Sequence, residues 1–448
     1  MKRTLSALAT LAVALLVASS AGAGGGGPNT IRMSVKANGN EVAGAAADYT
    51  SISGGGRYTV YESFAKLVGK DDDMAFDVYL YDREQDKNEL VSVDSSGDPR
   101  DAECAAADIS PNGRYVSFGC GGELSNDDNT AGTEDVYRRD LETGKTILIS
   151  LTDSDNQLSG VDDDSEISGV ANNGLVAWQS YGAFVPGDSN TAYDTFVRNP
   201  KKDTTVRASV GSADQQLPNG VGSLNTDKDS KIPISGDGRY VAFSSPDTAT
   251  GDPDFGFMVD TDVFVRDLKK GKTVRASLKS NGDEADPNDN ANSRTPSISE
   301  DGRYVAFAAD GFAKFVPDDD NDDIDIYVRD VKKKKTFRVS VKSNGKEPAV
   351  SGLAPAFPEI SANGRYVVWD TQWNYANNGG NLRNVYRRDI KSKKTILVSR
   401  ASNGDVKDTN QLADVANKDW VAFSSMAKNT NAADDGNDFD VFLRGPLD

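Results

Sequence analysis

The sequence predicts an all-β fold: a seven-bladed β-propeller with four antiparallel strands per blade, the last blade closed by the N-terminal strand. Three observations carry this. One hairpin recurs seven times, as in "PSISEDGRYVAFAA" (296–309), "IPISGDGRYVAFSS" (232–245) and "PEISANGRYVVWDT" (358–371), at intervals of about 55–64 residues. Two further short strand patterns follow each hairpin. The seventh unit stops after its third strand, and a matching fourth stands at the front of the chain.

The elements follow in chain order. Lys2 and Arg3, the apolar run from Leu5 to Val17 and the small residues Ala21-Gly22-Ala23 read as a signal peptide over 1–23, cleaved after Ala23. That run is too short to span a bilayer, and no other segment is apolar enough to do so. The mature chain is therefore expected to be exported, periplasmic or extracellular, with no transmembrane segment. Residues 24–29 read as a glycine-rich linker and 30–448 as the propeller. Within it, "TIRMSVKANGNE" (30–41) matches "TFRVSVKSNGKE" (336–347) almost position for position, so 30–36 is expected to be the outer closing strand. Closure removes an open sheet edge that would invite aggregation. The blades are expected at 48–100, 101–160, 161–220, 221–289, 290–348, 349–406 and 407–448.

Each blade opens on a strand ending in Ile-Ser or an equivalent pair. Asp-Gly, Asn-Gly or Gly-Gly then supplies the positive φ that a tight hairpin needs. The second strand, Tyr-Val-Ala-Phe in type, is apolar on both faces and reads as buried on both. Third strands include "DVYLYD" (77–82), "DIYVRD" (325–330) and "DVFLRG" (440–445); fourth strands include "ELVSV" (89–93), "TVRASV" (205–210) and "TFRVSV" (336–341). Four short strands per repeat is the propeller pattern.

The run S-x-DGRYVAF, then D-V-F-V-R-D, then T-x-R-V-S resembles the TolB-like, WD-repeat-like β-propeller repeat of exported bacterial proteins, over residues 30–448. The resemblance implies a binding or scaffolding platform in the cell envelope or outside the cell. It speaks to fold more than to function.

Composition narrows the chemistry. A net charge of −19 argues against nucleic acid as a partner. The chain has no histidine, which removes Ser-His-Asp and Cys-His catalysis and His-ligated zinc. There is no GxSxG elbow, phosphate-binding loop or cysteine nucleophile. Carboxylates are so abundant that no catalytic pair stands out, and no catalytic residue is named. The two cysteines, Cys104 and Cys120, flank the hairpin "CAAADISPNGRYVSFGC". If Ile109 faces Tyr115, opposed positions sum to 224, and Cys104 faces Cys120. A cross-strand disulfide is expected, the alternative being two buried thiols.

Charge separates by loop type. Loops after second strands are acidic, as in "KDDDMAFD" (70–77) and "PDDDNDDID" (317–325). Turns after third strands are basic, as in "LKKGK" (268–272) and "VKKKK" (331–335), and Arg57, Arg114, Arg239, Arg303 and Arg365 fall on the same side. One acidic face and one basic rim are expected, and the rim would suit an anionic surface.

The acidic loops suggest calcium. Asp188-x-Asn190 with Asp194, Asp319-x-Asn321 with Asp325, Asp127-x-Asn129 with Asp135, and Asp435-x-Asn437 with Asp440 share one pattern. Closely spaced oxygen donors suit a hard cation, and a solvated acidic loop is the alternative. Blade six departs from this: "TQWNYANNGGNLRN" (371–384) has no carboxylate and offers Trp373 and Tyr375, a ligand platform if exposed or packing against a neighbouring blade if not. The functional expectation is a non-catalytic exported platform for a protein or cell-envelope polymer. The alternative is a polysaccharide hydrolase or lyase using carboxylates of the central channel.

Overall fold

The computed structural model of this 448-residue chain describes residues 29–42, 47–71, 73–130, 133–158, 167–221, 231–246, 261–285, 292–311, 313–349, 352–376, 382–403, 410–426 and 438–447. The expected leader at 1–23 lies outside them. Seven antiparallel sheets form the blades, all but the seventh built in chain order from the axis outward. Blade one is Ala47–Ile52, Tyr58–Ser63, Asp77–Asp82 and Lys87–Leu90. First strands of neighbouring blades pack on one another and so surround the axis. Among the described residues, no helix is long and apolar enough to cross a membrane.

The expected closure is present. Asn29–Arg32 pairs antiparallel with Asp440–Gly445, Ile31 facing Leu443, as the fourth strand of blade seven. Blade four departs from expectation, with three strands and only an Ile234–Val241 bridge where its first strand was expected. Pro233 has no N–H to give to a ladder there, although its carbonyl still accepts from the Ala242 N–H at 2.9 Å. Blades three and four approach closely at this point. A Cβ on Gly169 would stand 2.0 Å from the Ile232 carbonyl oxygen, so only glycine fits.

The hairpin turns repeat because serine organises them. In blade two the Ser110 hydroxyl accepts from the Tyr115 N–H at 2.9 Å, and Gly113 takes a φ of +74°. The register differs from the one expected. Ile109 faces Val116, not Tyr115, and a bulge between Ala105 and Asp108 restores Cys104 opposite Cys120, where the disulfide forms. The extra residue, Ala106, sits at φ +53°. The same bulge recurs in the first strands of blades one, five, six and seven, with Tyr49, Thr295, Phe357 and Leu412 at positive φ. Non-glycine residues in this region hold local strain, so the bulge is a built feature of the axis wall.

Outer strands end after four residues because serine takes over from the ladder. In blade five the Ser340 hydroxyl donates to Asp325 Oδ1 and accepts from the Ile326 N–H at 2.9 Å. The seam repeats this across the termini, with Ser34 donating to Asp440 Oδ1 at 2.6 Å. Neighbouring blades are stitched by threonine and arginine. Thr395 Oγ1 donates to the Val341 carbonyl at 2.6 Å, and Arg388 reaches the carbonyls of Val341 and Lys342. Thr30 and Arg444 make the same stitch to Arg400. Sequence-distant termini thus use the same chemistry as every other blade.

Candidate functional site

The acidic loops are built on a fold-back. Four residues after an inward apolar side chain (Leu67, Leu124, Phe184 or Phe315) comes Asp71, Asp128, Asp188 or Asp319. In blade five, Asp319 meets Asp325 and Glu347, and a guanidinium from the outer strand lies among them. Arg338 Nη1 is 3.1 Å from Asp319 Oδ1 and 3.0 Å from Asp325 Oδ2, and it also bonds Glu347. Tyr327 donates its hydroxyl to Asp319. Asn321 Oδ1 accepts from the Asp323 N–H at 3.0 Å, a local turn. Burial pushes Asp325 up to about 7 against the pull of Arg338.

Other blades vary one position. In blade three, Arg207 Nη1 stands 3.0 Å from Asp188 and 3.3 Å from Asp194, while Asn190 donates to the Leu217 carbonyl at 2.8 Å. In blade seven, Arg32 Nη2 lies 2.6 Å from Asp440. Asp435 and Asn437 lie outside the described residues. In blade two, leucine (Leu148) replaces the arginine, and the neutral amide of Gln157 bonds Asp128 at 2.9 Å and Asp135 at 2.8 Å. The inward carboxylate there is Asp128. Asp127 and Asn129 are exposed, which corrects the expected set by one position. The loop runs one residue longer before Asp135 than in blades three and five, so alignment from the strand end slipped; counting from Leu124 finds the inward residue. Blade one also carries leucine, Leu90, but keeps Asp71, Asp73 and Asp77. This triad and Asp319/Asp325/Glu347 each bring carboxylate oxygens within 4.8 Å of one another and could hold a metal ion.

A second cluster lies on the axis. One residue before the Ile-Ser pair, Asp108, Glu359 and Asp414 converge from blades two, six and seven. Lys231 Nζ is 2.9 Å from Asp414, 3.4 Å from Glu359 and 3.7 Å from Asp108. The side chains also tie blades together. Asp414 accepts from the Ile52 N–H at 3.0 Å, Asp108 from the Val170 N–H at 2.9 Å, and Ser297 donates to Glu359 at 2.7 Å. Burial pushes Glu359 up to about 7, with the neighbouring Asp414 adding to it and Lys231 opposing. Burial alone would pull Lys231 down, but the three carboxylates outweigh it and hold it well above its ordinary value. The cavity over this cluster is about 70 Å³, far below the few hundred Å³ of an ordinary ligand pocket. None of these four residues was named from sequence. The available signal was the variable position in an otherwise repeated hairpin: Asp-Ile-Ser, Glu-Ile-Ser, Asp-Val-Ala.

On the opposite side, the hairpin arginines are neutralised. Arg57 forks onto Asp82 through bonds of 3.0 and 2.7 Å, and Arg114, Arg239, Arg303 and Arg365 pair with Asp140, Asp267, Asp330 and Asp389. Each also stacks on the tyrosine that follows it, as Arg303 does on Tyr304 at 4.6 Å. Positive charge on this face therefore comes from lysines. Lys201, Lys202, Lys269, Lys270, Lys272, Lys332 to Lys335, Lys391 and Lys393 are exposed along blades three to six.

Trp373 and Tyr375 are buried, at 0% and 2% exposure, so of the two readings the packed pair holds and the ligand platform does not. Tyr375 packs edge-on against Trp369 at 5.3 Å, the position Phe184 takes on Trp178 and Phe315 on Phe307. Asparagines around the pair suggested exposure, but the fold-back of this loop buries its apolar side chain in these blades.

No protein-family model matches the sequence, and no curated protein matches it. Solved structures share its fold. TolB from Acinetobacter baumannii is 12% identical, with a TM-score of 0.39 over 78% of this chain and 62% of TolB. An oligogalacturonate lyase from Vibrio parahaemolyticus is 11% identical, with a TM-score of 0.50 over 93% of this chain and 96% of the lyase. A chain of the mitotic checkpoint complex is 10% identical, with a TM-score of 0.47 over 100% of this chain and 99% of that chain. At such identities the likeness is one of fold alone.

Proposed function

We propose that this propeller is a non-catalytic exported platform whose lysine face engages an anionic cell-envelope polymer, with calcium stabilising blade one. The observation that carries the reading is the fate of charge on the two faces. The hairpin arginines are consumed by aspartates, while lysines of four consecutive blades stand in solvent. Exposed lysines are mobile point charges, suited to a repeating anionic surface rather than to one shaped ligand. The Cys104–Cys120 disulfide supports an oxidising compartment. Calcium in blades three or five would have to displace Arg207 or Arg338, which favours blade one, where Leu90 stands in the arginine's position.

Cosedimentation of residues 24–448 with insoluble phosphate-rich cell-wall polymer tests the platform. Screening shrinks from about 30 Å at 0.01 M salt to about 3 Å at 1 M, so binding should appear at the former and vanish at the latter. Replacing Lys332, Lys333, Lys334 and Lys335 by glutamine should weaken it. No sedimentation at low salt overturns the reading. A second reading, a polysaccharide hydrolase or lyase, is favoured by the raised Glu359 beside Asp108 and Asp414 on the axis. The same samples can be assayed for new chain ends. Turnover that Glu359→Gln abolishes would put this reading first.

A further inference from the structure

A pocket of about 430 Å³ opens on the lysine face between blades six and seven. Its lining includes Arg365, Arg387, Lys394 and Lys418, against the two carboxylates of Asp389 and Asp419. Asp389 is already held by Arg365 at 2.7 Å. Arg387 is the unusual member. It is 3% exposed and lies over the Tyr366 ring at 4.5 Å, with Arg365 over the same ring at 4.8 Å. Its Nη2 donates to the Leu447 carbonyl at 3.1 Å, but its Nε and Nη1 have no hydrogen-bond partner among the described residues. The nearest carboxylate oxygen, on Asp419, is 3.8 Å from Nη1, beyond hydrogen-bond range.

The repeat supplies its own control. Arg138 is the counterpart of Arg387 in blade two, stacked over Tyr115 at 4.8 Å. Its Nη1 donates to the Gly174 carbonyl at 2.6 Å, while its Nε, like that of Arg387, has no partner among the described residues. Gly174 takes a φ of +83°, which turns that carbonyl toward the guanidinium. At the blade six–seven junction Asp419 stands where the glycine would; its carbonyl accepts from the Leu447 N–H at 2.8 Å and Leu447 returns its own carbonyl to Arg387 Nη2, which leaves Nη1 without the partner that Gly174 gives Arg138. A buried guanidinium with unmet donors is costly unless an acceptor is supplied.

We propose that this pocket binds a phosphate-type oxyanion, with Arg387 Nη1 as the buried donor, Lys418 and Lys394 at the rim, and the half-exposed Asp419 carboxylate as the group the anion displaces. A guanidinium N–H makes a charge-assisted hydrogen bond to a phosphate or carboxylate oxygen, and the surplus cations favour the more highly charged phosphate. The pocket stands on its own geometry and does not rest on the platform reading. Phosphate binding without polymer sedimentation would leave it standing and remove the other.

Calorimetric titration of residues 24–448 with inorganic phosphate tests it, with acetate and chloride at matched ionic strength alongside. One saturable phosphate site is expected. Lys418→Gln should weaken it by about ten-fold, as loss of a charged hydrogen bond does. Asp419→Asn should tighten it by about five-fold, by removing a competing charge. Both positions are on the surface, so these variants keep the test sound if Arg387→Met fails to fold. Acetate binding as tightly as phosphate would assign the site to carboxylates instead of phosphate. Phosphate heats equal to those of chloride, or an affinity unchanged in both variants, overturn the inference.

Discussion

Glu359 is one residue whose surroundings set a measurable pH response. Lys231, Asp414 and Asp108 face it across the axis, and Ser297 donates to it. Burial raises it from an ordinary 4.5 to about 7, and Asp135, buried beside Asp128, rises from 3.8 to about 6. Between the ordinary and folded values the folded chain binds more protons than the unfolded one, so stability falls as pH rises through that window. Asp267 works the other way, because the Arg239 fork holds it below the usual carboxylate range. Its contribution is present above its ordinary value of 3.8 and is lost as pH falls below it. The urea midpoint should therefore peak near about pH 5 and decline toward pH 7. Glu359→Gln should flatten the alkaline limb, and an unchanged limb would mean that the cluster does not titrate there.

At the scale of the element, the outer strand decides what each acidic loop needs. Where it carries arginine, in blades three, four, five and seven, a guanidinium sits among the carboxylates. Blade two substitutes an amide, and blade one keeps three carboxylates opposite Leu90. Extracellular modules bind calcium at about 0.1–1 mM, so about 10 mM calcium should stabilise the chain by about 1.5–3 kcal/mol over a chelator control. Native mass spectrometry should count one ion. Leu90→Arg should supply the cation internally and remove the calcium response. A calcium response that persists in that variant would locate the ion elsewhere.

For the whole molecule, the seam is where the ring depends on contacts between residues far apart in sequence. Thr30, Arg32 and Ser34 bind Arg400, Asp440 and Val441, and Asn88 of blade one donates to the Met33 and Val35 carbonyls at 2.7 and 2.9 Å. Starting the chain at Ala37 should expose the edge of Asp440–Gly445, lower and broaden the thermal transition and raise light scattering. A truncated chain that melts as sharply and as high as the full one would show that six blades and a partial seventh suffice. The stitches also explain why the repeat keeps Thr and Arg on its third and fourth strands: both reach the preceding blade's carbonyls in nearly every unit.

Sequence by itself determined the seven blades, the N-terminal closure and the cysteine pairing. These follow from local hairpin chemistry repeated often enough to align, and a matched terminal strand can be recognised without knowing where it lies. The Cys104–Cys120 pairing was legible even though the register near the turn was not, because the bulge at Ala106 shifts the ladder by the one residue in question. Only the tertiary structure decided which charges meet. Arg338 ends an outer strand while Asp319 lies in the loop before Asp325, Lys231 meets carboxylates of three other blades, and Tyr375 turns inward because its loop folds back onto Trp369. Electrostatic partners and burial are set by distances between blades, and no pattern within one repeat encodes those distances.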